Sequence, residues 1–198
     1  MDAPALIAAL QEDVPGASLE AAASADLHTT IYASPEDLPA IARALRDRPD
    51  LRCVFLAELT AVDLHPREPR FELVYMLVSL EHRFRLRVKV RLDGNAAHVQ
   101  TVSGVWPAAN WLEREVWDLF GIAFDGHPDP RRLLMPEDWD GYPLRKDYPV
   151  QIRKTPVATE ALQVTAEEFR QNVERDRLAQ RAVEHGSGII VHASAGLS

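Results

Sequence analysis

Two neighbouring stretches concentrate the side chains able to do chemistry. They are Asn110-Trp-Leu-Glu113-Arg114-Glu115-Val-Trp-Asp118 and Asp125-Gly-His127-Pro-Asp129-Pro-Arg131-Arg132. On a helix, Arg114 and Asp118 stand at i,i+4 and Glu115 and Asp118 at i,i+3, so they share a face. A carboxylate pair with a nearby histidine has the composition of a metal or acid–base site, which makes Glu115, Asp118 and His127 candidate ligands. Carboxylates interleaved with arginines also fit a structural ion-pair network, and this is the stronger expectation. The four tryptophans Trp106, Trp111, Trp117 and Trp139 fall here too. Tryptophan and arginine beside a proline-rich segment match either an interface hot spot or a tryptophan-rich corner of the core.

These residues need elements to hold them. Residues 106–120 read as a helix, with Pro107 at its start and Gly121 placed to cap its end. Upstream, Ala3–Glu12 reads as a short helix capped by Asp2, and Leu27–Ala33 as a strand. Ser34-Pro35-Glu36-Asp37 opens a second helix with Leu38, Ile41 and Leu45 on one face, ended by Pro49. Leu51–Leu64, Phe71–Leu80 and Phe84–Leu92 read as three strands joined by short turns, hence a meander. In the third, Phe84, Leu86, Val88 and Val90 alternate with Arg85, Arg87, Lys89 and Arg91. That pattern gives one apolar and one cationic face. The cationic face is either solvated or a docking surface for an acidic partner.

Downstream, six prolines between Phe124 and Pro156 forbid regular helix or central strand. Thr165-Ala-Glu-Glu168 is a capping box, predicting a polar helix from Ala166 to about His185 with a thin stripe of Phe169, Val173 and Leu178. The expected organisation is therefore an N-terminal helix and linker (1–26), an α/β core (27–124), a proline-rich extension (125–156) and a tail with a partner-docking helix (157–198). The fold class expected is α/β (α+β): two layers, a largely antiparallel or mixed sheet with flanking helices, and a long extended tail.

The chain has 198 residues, 46% hydrophobic and 26% charged. Ordinary globular values exclude a disordered or fibrous chain. Its lone cysteine, Cys53, cannot hold an iron–sulfur cluster, which takes about four protein ligands, nor form a disulfide framework. A net charge of −8 argues against nucleic acid as a ligand, including an adaptor role for the Arg85–Arg91 face. Of 22 cations, 22 − 3 = 19 are arginines, the residue of planar, bidentate pairing with carboxylates. No nucleotide-phosphate loop or nucleophile elbow occurs. Met1–Leu10 lacks a basic region and carries Asp2, so no secretion signal is expected.

Several blocks together resemble the 30 kDa subunit family of NADH-quinone oxidoreductase (respiratory complex I). They are Ala109–Ile122, Gly126-His-Pro-Asp129, Arg131-Arg132-Leu-Leu, Pro136-Glu-Asp-Trp139 and Pro143-Leu-Arg145-Lys146-Asp147-Tyr-Pro149; the meander around Leu59–Asp63 and Phe71–Val78 also looks like this family, extending the resemblance over most of residues 27–150. The resemblance implies a subunit without a cofactor of its own, with FMN, iron–sulfur clusters and quinone in its neighbours. It implies a peripheral position on the cytoplasmic side of the cell membrane, touching the membrane only through the complex. There the chain would brace the quinone-site subunit, itself similar to hydrogenase large subunits, beside the iron–sulfur subunits. Related subunits of membrane-bound hydrogenases and F420-linked complexes are the alternative, and a free-standing metal enzyme the remote one. Glu113, Arg114, Glu115, Asp118, His127, Arg131, Arg132, Trp139, Arg145, Lys146 and Asp147 are then candidates for a partner interface or structural ion pairs. Arg145, Lys146 and Asp147, held extended between prolines, are expected to pair with the Glu113–Asp118 helix face and with acids across the interface.

Overall fold

Helix α1 (Ala3–Asp13) opens as the sequence predicts: Asp2 accepts a hydrogen bond from the Ala5 N–H at 3.0 Å, with Pro4 in the first turn. In this computed structural model residues 2–26, 28–149 and 165–184 are described. Leu27, Pro156, residues 157–164 of the expected tail and His185 lie outside them. The chain divides into two units, 1–150 and 151–198, so the described part of the proline-rich extension belongs with the core.

Strand β1 (Leu19–Ala22) pairs antiparallel with β2 (Thr29–Ala33). Helix α2 (Leu38–Asp47) begins one turn later than Ser34-Pro35 suggested. The Ser34 hydroxyl accepts from the Asp37 N–H and donates to the Asp37 carboxylate, so the capping chemistry closes a turn ahead of the regular helix. The expected meander is present as β3 (Phe55–Asp63), β4 (Phe71–Ser79) and β5 (Phe84–Leu92). β3 starts after Leu51–Cys53, because the Cys53 N–H closes the end of α2 on the Leu45 carbonyl. The sheet is mixed, in the order β1-β2-β5-β4-β3, with β2 parallel to β5. Strands β6 (His98–Gln100) and β7 (Ala123–Asp125) form a parallel pair on either side of helix α3 (Ala109–Phe120).

The register assigns the two faces. Ile31, Val88, Tyr75 and Leu59 line up across four strands, as do Ala33, Val90, Leu73 and Ala61, and all are buried. Leu6 and Leu10 of α1, Ile41 and Leu45 of α2, and Ala109 and Val116 of α3 join the same core. Trp106 belongs to it too, its indole N–H bonded to the Cys53 carbonyl at 2.9 Å. The opposite face carries the cations of β5. Arg87 pairs with Asp26, Lys89 with Glu72 and Arg91 with Glu20, while Arg85 has no ion pair among the described residues. This face is thus a lattice of ion pairs, part-buried at Lys89–Glu72 and exposed at Arg91–Glu20, rather than a free basic surface.

In the second unit, helix α4 (Ala166–Glu184) starts at the predicted capping box. Glu168 accepts from the Thr165 N–H and hydroxyl, and Thr165 Oγ1 accepts from the Glu168 N–H. Phe169 and Leu178 of its apolar stripe are exposed.

Candidate functional site

Ala109, Glu113, Val116 and Phe120 recur at helical spacing and are all buried, so Glu113 sits on the core-facing stripe of α3. Its carboxyl is fully enclosed. One oxygen accepts from the Val102 N–H at 2.8 Å and the other meets the Thr101 hydroxyl. Burial pushes this group up to about 7, although those two hydrogen bonds oppose the shift. A cavity of about 100 Å³ adjoins it, lined by Trp117, Phe124, His127 and Pro130 among others. His127 cannot act as a ligand or base there without breaking existing bonds. Its Nδ1 accepts from the Asp129 N–H at 3.0 Å, which puts the proton on Nε2, 3.0 Å from the Asn110 carbonyl.

The rest of the charged motif fastens the extension to α3. Arg114 donates to the carbonyls of Arg131 and Arg132, each at 3.0 Å, and pairs with Asp129 at 3.3 Å. Asp118 is fully buried. One of its oxygens collects three consecutive amides, those of Leu133, Leu134 and Met135, at 2.7–3.0 Å; the other takes Arg132 at 2.7 Å. Burial pushes Asp118 up, but the Met135 N–H, the Arg132 guanidinium and the other two amides outweigh it and hold the carboxyl below its usual range. Arg132 continues to the Trp139 carbonyl at 2.9 Å and lies over the Trp117 and Tyr142 rings. Arg131 is exposed and bidentate to Asp129.

A second fastening closes the far end of α3. Gly121 takes the left-handed conformation, φ 72°, that ends the helix. Arg145 then donates to the Phe120 and Gly121 carbonyls at 2.5 and 3.2 Å, a cation on the negative end of the helix. It also reaches the Asn95 carbonyl and stacks on Tyr142. Below it, Asp63 and Arg70, both almost fully buried, form a bidentate pair at 3.0 and 3.2 Å. Asp147 adds a bond to Arg70 at 2.7 Å, and the Lys146 N–H binds Asp63 at 2.9 Å. Burial pushes Asp63 up, yet Arg70 and the Lys146 and His65 amides bring it down to about 2.

Two expectations need correction. Arg145, Lys146 and Asp147 do not pair with the Glu113–Asp118 face: they bind the end of α3 and the Asp63–Arg70 pair, because each acid of that face except Glu115 is already taken by residues 101–102 or 132–135. Glu115, Asp118 and His127 do not form a ligand set, and no group of three metal-ligating side chains occurs among the described residues. The motif's own i,i+4 pair, Arg114 and Asp118, is not an ion pair; both reach outward to the same loop. Asp63, Arg70 and Thr101 were missed. Asp63 falls on the inward positions of its strand with Leu59 and Ala61, and that parity was the available signal for a buried acid.

What the fold and these contacts define is an α/β scaffold with a proline-rich extension clasped to one helix. The family of the respiratory-chain NADH dehydrogenase 30 kDa subunit matches residues 31–154. The chain belongs to that family. A Roseiflexus castenholzii protein, the C subunit of an NADH-quinone oxidoreductase, is 46% identical over 151 residues, spanning 76% of this chain and 86% of that one. An Acidiphilium cryptum protein, an NADH-quinone oxidoreductase C/D subunit, is 47% identical over 132 residues, 63% of this chain but 22% of its own length. Among solved structures, a chain of the membrane-bound sulfane sulfur reductase, an archaeal respiratory membrane complex, aligns with TM-score 0.61 at 27% identity, covering 74% of this chain and 85% of that chain.

Proposed function

We propose that this chain is a peripheral-arm subunit of a proton-translocating NADH:quinone oxidoreductase. It carries no cofactor itself and braces the quinone-site subunit beside the iron–sulfur subunits, on the cytoplasmic side of the membrane. FMN, iron–sulfur clusters and quinone belong to those neighbours. One observation carries this reading: Glu113, Arg114, Asp118, His127 and Arg132 each bind this chain's own backbone, with bonds directed at residues 102, 110, 129, 131–135 and 139. Side chains so engaged build a shape rather than turn over a substrate. The C/D relative supports the choice of neighbour, since its matching segment is about a fifth of one polypeptide named for two subunits at once. Electrons would then pass through the assembly, and this chain's contribution to the reaction is positional.

Affinity isolation of the tagged chain from native membranes, followed by mass spectrometry, tests this. Recovery of a flavin subunit, cysteine-rich subunits, a hydrogenase-large-subunit-like protein and multi-spanning subunits is the expected result; a chain recovered alone overturns it. The likeness to a chain of the sulfane sulfur reductase favours a second reading, a related subunit of another membrane-bound respiratory complex. Recovery of the same partners without a flavin subunit would select it.

A further inference from the structure

We propose that Trp111, Glu115 and Leu134 form a docking patch for a partner segment that presents an arginine or lysine among apolar side chains. This rests on the reading that the chain works within an assembly. Trp111 and Leu134 are each 60% exposed, although Trp111 lies on α3 and Leu134 in the loop bonded to it. The Arg114 guanidinium lies over the Trp111 ring at 5.0 Å and is itself bound to the Arg131 and Arg132 carbonyls. The Leu134 N–H is fixed on Asp118 at 2.7 Å. Two large apolar groups are thus held outward by a buried network, so burying them against a partner costs little ordering entropy.

Glu115 supplies the charge preference. It stands one turn from Trp111 and one turn from Asp118 on the same face of α3. Glu113, Arg114, Asp118, Asp129, Arg131 and Arg132 all have polar partners within the chain, whereas half-buried Glu115 has no hydrogen bond or ion pair among the described residues. Just beyond Leu134, Glu137 and Asp138 are exposed and also without ion pairs among the described residues. The nearby exposed cation Arg131 pairs with Asp129 and lies within electrostatic reach of Glu137, which leaves Glu115 and Asp138 as the acids it does not serve. The patch therefore has apolar groups beside the unpaired acids Glu115 and Asp138, and its complement is a cation in an apolar frame.

The test uses the complex isolated from native membranes, with Trp111 replaced by the photo-cross-linker p-benzoylphenylalanine. The expected adduct joins position 111 to another polypeptide, at a segment containing arginine or lysine. In parallel, Glu115→Arg should lower incorporation into the complex by about tenfold or more, while the isolated chain melts at the wild-type temperature. If Glu115→Arg lowers that temperature, the milder Glu115→Gln is read instead and should still reduce incorporation severalfold. Adducts confined to residues 151–198 of the same chain, adducts to a second copy, no adduct, or wild-type incorporation of the Glu115 variants overturn the proposal. A wild-type chain that joins no membrane assembly defeats the function proposed above; one that joins while these results fail defeats only the patch.

Discussion

The first unit holds two charged regions of similar composition that do opposite work. On the outer sheet face, Arg87, Lys89 and Arg91 meet Asp26, Glu72 and Glu20 side chain to side chain, at the solvent boundary. At the clasp, Asp118, Arg114, Arg132 and Arg145 reach mainly backbone groups, out of water. The first arrangement neutralises a surface, and water competes most for the exposed Arg91–Glu20 pair. The second stands in for secondary structure, because Pro130, Pro136 and Pro143 interrupt any continuous ladder through the extension. Buried charges, most of them directed at backbone, determine the shape of the clasp.

The largest test of that contrast is Asp118→Ala, which strands three amides and Arg132. Denaturant unfolding should show a loss of about 3–5 kcal/mol. A loss below about 1 kcal/mol would put the clasp on a par with the sheet face. Glu113 gives the next effect. Its folded-state value is raised from 4.5 to about 7, so its contribution is fully present below about 4.5 and is lost as pH rises through about 7. Stability should therefore fall by roughly 2–3 kcal/mol between pH 5 and 8. Glu113→Gln should flatten that part of the profile when both proteins are melted across the range. Gly121→Ala comes third: a Cβ there meets the Tyr142 ring and Arg145 Nη2 at 2.6 Å or closer, at a φ of 72°. A loss of about 1–3 kcal/mol is expected, read by thermal melting. The smallest is Glu20→Ala on the sheet face, which breaks the exposed Arg91–Glu20 pair and should cost under about 1 kcal/mol, shrinking further in 1 M salt.

Much of this was legible from local patterns. The Asp2 and Thr165 caps, the Gly121 stop and the alternation of β5 are written in adjacent residues, and the structure has them in place. Strands β1, β6 and β7 are three or four residues long and show no period to read. The parallel pairing of β2 with β5 depends on a connection of some fifty residues, beyond any local signal. At the site, the motif showed which residues matter but not whom they meet. Arg145 and Asp118 are opposite charges in neighbouring motifs, yet Arg145 prefers helix-end carbonyls because Arg132 already occupies Asp118. Choosing among nineteen arginines for one carboxylate is a three-dimensional problem. The burial of Glu113, like that of Asp63, has a local signal, since it shares its helical stripe with Ala109, Val116 and Phe120.

The convergence of the Leu133, Leu134 and Met135 amides on Asp118 has a consequence for how the molecule breathes. These three N–H groups lie in a stretch with no regular secondary structure, where amide hydrogens ordinarily exchange with solvent almost at once. Bonded to a buried carboxylate, they should exchange as slowly as the amides of α3 and in step with them, because the loop cannot release its protons until the helix lets go. An irregular loop would thereby behave, on the timescale of isotope exchange, as an extra turn of the helix that holds it.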